Sequence, residues 1–161
     1  MINNMISDCV IDSVKIVELC KFADDRGWLM ELFRQDSLPE GFNPAMSYMS
    51  ITKTGMVRGP HEHKEQTDYL IFPGPSNFRL YLWDNRSESP TYGKTFNAEY
   101  GENNMAVVII PPGIVHGYKN IGPVDGITLN APNRLYRGDG KQNEVDEIRY
   151  EDRPDSGFLI E

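Results

Sequence analysis

Short apolar segments alternate with turn-forming residues along almost the whole chain. Glycine and proline, alone or in pairs, recur roughly every eight to twelve residues, a spacing typical of many short strands in a sandwich or barrel. Helical periodicity with capping residues is nearly absent, and only residues 36–41 suggest a helical turn. The pattern therefore predicts an all-β fold.

The segments between the turns are rich in β-branched, aromatic and aliphatic residues, which favour strands. In residues 77–84 the alternation is partial, as expected of a strand with one well-buried face. No linker, repeat or low-complexity tract divides the 161 residues, so we expect one domain over residues 1–161. The predicted strands are residues 13–19, 28–33, 48–52, 69–72, 78–83, 106–110 and 126–129.

Composition narrows the class of protein. With 39% hydrophobic and 25% charged residues, the chain has the make-up of a globular protein, and it has no apolar run long enough to span a bilayer. Residues 1–8 lack the basic and then apolar stretches of a signal peptide, which leads us to expect a cytoplasmic location without membrane contact. Cys9 and Cys20 form no closely spaced pair and are expected to be free thiols.

The charge balance argues against nucleic acid as a partner. The formal net charge is −8, whereas binding a phosphate backbone requires a cationic surface. An anionic ligand would have to be bound by a few local arginines. The acidic residues near the C-terminus are interpreted as a solvated surface and not as a site. They are Glu144, Asp146, Glu147, Glu151, Asp152 and Asp155.

The chain has three histidines, and all of them fall in two short segments. Residues 58–63 read Arg-Gly-Pro-His-Glu-His, and residues 111–120 contain the third histidine. Residues two apart in a strand point to the same face, so His61 and His63 can face a barrel interior together. His116 on a neighbouring strand would complete one shared pocket. Three imidazoles with a carboxylate would suit a divalent Fe, Mn, Ni, Co or Zn ion.

These segments resemble the two motifs of the cupin superfamily, whose fold is a jelly-roll barrel. The first motif, His-x-His followed by an acid, is matched by His61 and His63, with Asp68 or Glu65 as the acid. The second, Pro-x-Gly-x-x-His-x-x-x-Asn, is matched in full. Its residues are Pro111, Gly113, His116 and Asn120. The resemblance implies a cupin-type jelly roll, with one divalent metal ion possible at His61, His63, Asp68 and His116.

Within the cupins, the chain from about Phe22 nearly to its end resembles the dTDP-4-dehydrorhamnose 3,5-epimerase family. That family abstracts a proton next to the keto group of a nucleotide-linked 4-keto sugar, forms an enolate, and returns a proton to the opposite face. Four motifs in the family's order carry the resemblance. They are Asp25-Arg26-Gly27 with Glu31, Arg58-Gly59-x-His61, Ser89-Pro90-Thr91-Tyr92-Gly93, and Ile110-Pro111-x-Gly113-x-x-His116-Gly117.

The resemblance also implies roles for individual residues. His61 would be the catalytic base, since histidine has a pKa near neutrality, and His116 would line the sugar pocket. Arg58 and Arg26 would bind the diphosphate, to which a guanidinium donates paired hydrogen bonds, and Glu31 would contact the nucleotide. Such an enzyme needs no cofactor and is a homodimer whose N-terminal strands pack across the partner.

Several positions depart from the family. Asp68 stands where the family has a lysine that stabilises the enolate oxygen, and Leu129 stands where it has the tyrosine that returns the proton. His63 replaces an uncharged polar residue, and the aspartate that partners the base belongs to a C-terminal extension that we expect this chain to lack. Tyr118 or Tyr136 could supply the proton, although packing is the favoured interpretation of both.

Three hypotheses follow, in descending order. The first is a nucleotide-sugar epimerase or isomerase in surface polysaccharide synthesis, which binds a small nucleotide-linked keto sugar. The second is a metal-dependent cupin enzyme with another small substrate, in which the metal acts as a Lewis acid. The third is a sugar-nucleotide-binding relative without catalytic activity, because one fold hosts many functions.

Overall fold

The computed structural model describes residues 6–153 and 155–161. Within these residues, every strand pairing is antiparallel. The strands in chain order are β1 (Ile6–Asp8), β2 (Lys15–Glu18), β3 (Lys21–Asp24), β4 (Gly27–Met30), β5 (Tyr48–Thr52), β6 (Val57–Glu62), β7 (Asp68–Phe72), β8 (Asn77–Asp84), β9 (Thr95–Gly101), β10 (Ala106–Ile110), β11 (Ile114–Asn120), β12 (Gly126–Asn130) and β13 (Ile148–Arg149). Two short 3-10 helices lie at Gln35–Ser37 and Asp139–Lys141.

The strands form two large sheets and one separate hairpin. One sheet has six strands in the order β1-β2-β10-β7-β12-β5, and the other has five in the order β13-β6-β11-β8-β9. The hairpin consists of β3 and β4. The all-β jelly-roll prediction is thus confirmed. No helix in the described part of the chain is both long and apolar enough to cross a membrane.

The main core lies between the two large sheets. Along β8, buried and partly exposed positions alternate strictly, so that Phe78, Leu80 and Leu82 point inward with no exposed surface. From the six-stranded sheet, Phe72 packs its ring 5.7 Å from both Phe78 and Tyr118. Each such side chain contributes roughly 1.5–3 kcal/mol through burial, which is why the two sheets stay together. This core closes one end of the barrel and leaves the polar positions for the other.

A second apolar cluster covers the outer face of the six-stranded sheet. Tyr69 and Ile71 on β7 point outward there and pack against Phe42, which lies in the segment between β4 and β5. Leu129 on β12 packs into the same cluster. The side chain of Leu129 is therefore part of the outer packing and not of the barrel interior.

The family motif at residues 89–93 has a structural role. The buried carboxylate of Asp84 accepts hydrogen bonds from Arg86, Ser89 and Thr91 at 2.6–2.9 Å. Burial acts to raise the pKa of Asp84, but these hydrogen bonds outweigh it and hold the pKa below its usual range. The network also reaches the N-terminal part of the chain, because Arg86 donates to the carbonyl of Asp12.

The C-terminal segment (residues 144–153) passes the open end of the barrel and continues along the five-stranded sheet. There β13 pairs with β6, the strand that carries His61. Tyr150 donates a 2.6 Å hydrogen bond to Glu62 and packs against Phe158. The segment is thus attached directly to the strand of the first histidine motif.

Candidate active site

An irregularity in β6 brings Arg58 and His61 to the same side of the sheet. His61 is paired with His116 and Arg58 with Tyr118, so β6 has one extra residue between the two pairs. Such a bulge turns residues three apart onto one face, where a regular strand would place them on opposite faces. Gly59 makes it possible: its φ is +81°, and a Cβ there would lie 2.7 Å from the carbonyl oxygen of His116.

The three histidines and Asp68 form one compact cluster. The ring centroid of His61 lies 4.5 Å from that of His116 and 5.4 Å from that of His63. Asp68 enters from β7 of the opposite sheet, and its Oδ2 lies 3.0 Å from His116 Nε2 and 3.2 Å from His63 Nε2. One potential ligand atom from each of the four residues falls within 4.8 Å of the others.

The orientation of two rings is set by carbonyl groups. His116 Nδ1 donates to the carbonyl of Ile114 at 2.9 Å, and His63 Nδ1 donates to the carbonyl of Asp146. In both rings Nε2 is then the nitrogen that faces the Asp68 carboxylate. A lone pair at Nε2 would repel that carboxylate, and a cation bound between them would remove the repulsion. At His63 the side-chain amide of Gln66 lies 3.1 Å from Nε2 and can also donate to such a lone pair.

The Asp68 carboxylate is held as an anion. Its other oxygen accepts hydrogen bonds from the side-chain amides of Gln66 at 2.7 Å and Asn130 at 2.8 Å. Burial acts to raise the pKa of Asp68, but the hydrogen bonds of His116 and His63 outweigh it and keep the pKa well below the usual range. Burial likewise acts to lower the pKa of His63, and the Asp68 interaction outweighs it and raises that pKa to about 9.

His61 is the neutral member of the cluster. Burial, followed by the proximity of His116 and His63, lowers the pKa of His61 to about 2. Its Nδ1 lies 3.5 Å from Glu147 Oε1, which favours the tautomer with the proton on Nδ1. The lone pair of His61 then resides on Nε2. The lowered pKa keeps His61 unprotonated but makes it a weak base, and the Glu147 carboxylate is the group placed to stabilise its imidazolium.

The interpretation of the C-terminal acidic residues as a solvated surface is wrong for two of them. Glu147 contacts His61 with a side chain that is only 14% exposed. Asp146 accepts the backbone N–H groups of residues 64–66 through its carboxylate and holds the His63 ring through its carbonyl. Charge count alone could not separate these two from their solvated neighbours, because the distinction arises from the pairing of β13 with β6.

A cavity of about 1240 Å³ opens beside the cluster, between the barrel and residues 132–149. His61 and His63 line it from the five-stranded side, and Tyr48 on β5 lines it from the six-stranded side. Tyr48 is not among the site residues predicted from the sequence. A signal was available in residues 48–52, where tyrosine, serine and threonine alternate with methionine and isoleucine. The polar side of that strand faces the interior.

The remaining predicted residues lie in different places. The guanidinium of Arg58 donates to Thr52 Oγ1 at 2.8 Å and to the carbonyl of Ile51 at 2.7 Å. Arg26 pairs with Asp24 on the exposed hairpin, and Glu31 pairs with Arg34 at 3.3 Å. None of Arg26, Glu31 and Arg58 is among the residues that line the cavity of the same protomer. His116 is also absent from that lining and lies behind His61.

Of the two acids considered for the first histidine motif, Asp68 reaches the cluster. Glu65 instead forms an exposed ion pair with Arg134 at 2.9 Å. The two tyrosines considered as proton donors lie in different places. Tyr118 is buried in the core with its hydroxyl 2.9 Å from Thr128 Oγ1, whereas Tyr136 lines the cavity from the C-terminal side.

Comparison with known proteins gives a consistent family. The profile of the dTDP-4-dehydrorhamnose 3,5-epimerase family matches residues 8–142. The "Probable low-salt glycan biosynthesis epimerase Agl13" of Haloferax volcanii is 38% identical over 127 residues, which cover 78% of this chain and 81% of that protein. The spore coat polysaccharide biosynthesis protein SpsL of Bacillus subtilis is 38% identical over 114 residues, covering 70% of this chain and 74% of the other. The crystal structure of dTDP-4-dehydrorhamnose 3,5-epimerase from Sulfolobus tokodaii superposes with a TM-score of 0.73 at 27% identity, covering 91% of this chain and 81% of that chain.

Proposed function

The chain belongs to the dTDP-4-dehydrorhamnose 3,5-epimerase family, and we propose that it epimerises a nucleotide-linked 4-keto-6-deoxy sugar for surface polysaccharide synthesis. The observation that carries the proposal is the placement of His61. It lines the cavity, and its Nδ1 is directed at the Glu147 carboxylate. The glycan and polysaccharide functions in the names of two relatives support the biological setting.

In this reaction His61 Nε2 takes the proton from the carbon beside the keto group. The electrons of that C–H bond form a C=C bond, and the carbonyl electrons move to oxygen to give an enolate. The imidazolium that results is stabilised by the carboxylate of Glu147, which takes the role of the aspartate that partners the base in the family. The negative enolate oxygen needs a positive partner, and the histidine and aspartate cluster beside His61 is the place to hold one.

A 1H NMR assay tests this proposal. A dTDP-linked 4-keto-6-deoxyhexose is incubated with the wild-type protein and with His61→Asn, and the sugar signals are followed with time. We expect a second diastereomer to form with the wild type and not with the variant, because asparagine cannot take up the proton. A wild-type protein that binds this sugar nucleotide but forms no diastereomer would instead indicate a binding relative without catalytic activity.

We also propose a divalent metal ion at the histidine and aspartate cluster, because the side chains there are suitable ligands. Imidazole nitrogens and a carboxylate suit Fe, Mn, Ni, Co or Zn. The 3.0 and 3.2 Å separations between Asp68 Oδ2 and the two Nε2 atoms are those of neighbouring ligands with metal bonds of about 2.1 Å. The carbonyls that hold both Nδ1–H groups are typical supports of metal-bound histidine. A bound ion would supply Lewis-acid polarisation of the keto oxygen, and with His63, Asp68 and His116 as its ligands it would leave His61 Nε2 free to act as the base.

Inductively coupled plasma mass spectrometry of the untagged protein tests the metal proposal, with a His61 and His63 double variant as the control. Near-stoichiometric metal that is lost in the double variant would support it. Metal below about a tenth of the protein concentration after incubation with each of these ions would contradict it.

We further propose that the protein acts as a homodimer of single jelly-roll domains. The β3–β4 hairpin exposes Trp28 and Leu29 by 55% and 62%, a large apolar surface for an isolated protomer. If the hairpin packs across the partner, Arg26 and Glu31 can reach the partner's cavity, where they would meet the diphosphate and the nucleotide. Arg58 of the same protomer would join that contact only by releasing its hydrogen bonds to Thr52 and Ile51.

A further inference from the structure

Tyr48 faces the cavity from the wall opposite His61. It begins β5, the edge strand of the six-stranded sheet, whereas His61 lies on β6 of the five-stranded sheet. Both residues line the same cavity. A flat sugar enolate held between these walls would present one face to each residue.

The hydrogen bonds around Tyr48 determine which way its hydroxyl proton points. Asn130 Oδ1 accepts the backbone N–H of Tyr69 at 3.0 Å, which fixes the orientation of the amide. The amide nitrogen Nδ2 then donates one hydrogen to Asp68 Oδ1 at 2.8 Å and the other to the Tyr48 oxygen at 3.0 Å. The phenol oxygen is therefore used as an acceptor, and within residues 6–153 and 155–161 no acceptor takes its proton. That proton is free to point into the cavity.

We propose that Tyr48 is the proton donor that completes the epimerisation, on the face of the sugar opposite His61. This rests on the proposed function. The enolate oxygen re-forms the C=O bond, the C=C electrons take the Tyr48 proton, and the carbon inverts. Tyr48 is left as a phenolate and His61 as an imidazolium, and both return to their starting states by proton exchange with solvent. The Asn130 N–H that already contacts the phenol oxygen stabilises the phenolate.

Two further observations fit this role. Burial and the charge of Asp68 raise the pKa of Tyr48 to about 12, so the phenol carries its proton near neutral pH. The two tyrosines considered from the sequence are worse placed. Tyr118 is committed to Thr128 in the core, and Tyr136 lines the cavity from the C-terminal side instead of from the six-stranded wall opposite His61. Leu129, at the position of the family's tyrosine, packs into the outer cluster and supplies no proton.

Deuterium labelling with Tyr48→Phe tests the proposal. The variant and the wild type are incubated in D2O with a dTDP-linked 4-keto-6-deoxyhexose, and NMR records both deuterium content and configuration. We expect Tyr48→Phe to exchange the proton beside the keto group while the sugar keeps its starting configuration, because His61 can remove and return a proton on its own face. Formation of the epimer should fall by about a hundredfold or more. Tyr92→Phe is the matched control, because Tyr92 is exposed and does not line the cavity, and it should behave as the wild type.

Two outcomes would overturn the proposal. One is epimer formation by Tyr48→Phe within about threefold of the wild-type rate. The other is the loss of exchange and epimerisation together in a folded variant, which would make Tyr48 a binding residue. Failure of the proposed function is distinguishable from both, since the wild-type protein itself would then show no exchange.

Discussion

Replacing Glu147 by glutamine isolates the electrostatic support of the proposed base. Glu147 Oε1 lies 3.5 Å from His61 Nδ1, and the charge pair forms only once His61 has taken up the substrate proton. At this distance and an effective dielectric constant of about 20, two unit charges attract by roughly 5 kcal/mol. Arg149 lies 3.1 Å from the other oxygen of the same carboxylate and offsets part of this attraction. About 2–3 kcal/mol remains, which corresponds to a loss in kcat of about 30- to 150-fold.

Initial rates with a dTDP-linked 4-keto-6-deoxyhexose measure the effect. The KM should change little, because the interaction is made after proton transfer begins and not in the substrate complex. Glu144→Gln is the matched control: Glu144 lines the same cavity but is exposed, and its kcat should equal that of the wild type. A kcat for Glu147→Gln within about threefold of the wild type, or a loss confined to KM, would refute the role assigned to Glu147.

Three further predictions concern the fold and the assembly. Gly59→Ala should lower the free energy of unfolding by about 2–4 kcal/mol, because the φ of Gly59 is positive and a Cβ there would press on the His116 carbonyl. Equal urea midpoints for the variant and the wild type would show that the β6 bulge does not need glycine. Asp84→Asn should lower the free energy of unfolding by about 2 kcal/mol at neutral pH, because the side chain that accepts the Arg86 hydrogen bond is then neutral. Because the pKa of Asp84 is lowered in the folded state, its contribution to stability is complete above about pH 4 and disappears at lower pH. A difference in unfolding free energy between wild type and Asp84→Asn that persists in acid would contradict this. Leu29→Asp should convert the proposed dimer to monomers in multi-angle light scattering, and an unchanged mass would count against the hairpin as the interface.

The strands that sequence analysis predicted best are those whose pattern is local. Residues 48–52 and 106–110 form strands with the predicted bounds, because turn-forming residues flank dense apolar or β-branched runs. The strand at 57–62 was missed, since its Gly59 and Pro60 argue against a regular strand and are explained only by the bulge against β11. The helical turn suggested at 36–41 occurs as a short 3-10 helix at Gln35–Ser37.

For the candidate site, too, the features that depend on local sequence could be predicted and those that depend on long-range contacts could not. Grouping of the histidines could be predicted, because two-residue periodicity and short motifs are local properties. Glu147 could not be assigned from sequence, because it reaches the cavity through the long-range pairing of β13 with β6. For Tyr48 the alternation in residues 48–52 could have indicated an inward side chain, but its place in the cavity depends on the long-range register of β5 against β12. The placement of Arg26 and Glu31 outside the protomer's own cavity depends on the separate hairpin.

The most direct test of the central claim is the mass of the sugar nucleotide recovered after incubation with the protein in D2O. If His61 removes the proton beside the keto group, wild-type protein should raise the mass of a dTDP-linked 4-keto-6-deoxyhexose by one unit for each exchanged position, and His61→Asn should leave it at the rate of buffer alone. An unchanged mass with wild-type protein that demonstrably binds the compound, or equal labelling by His61→Asn, would contradict the account.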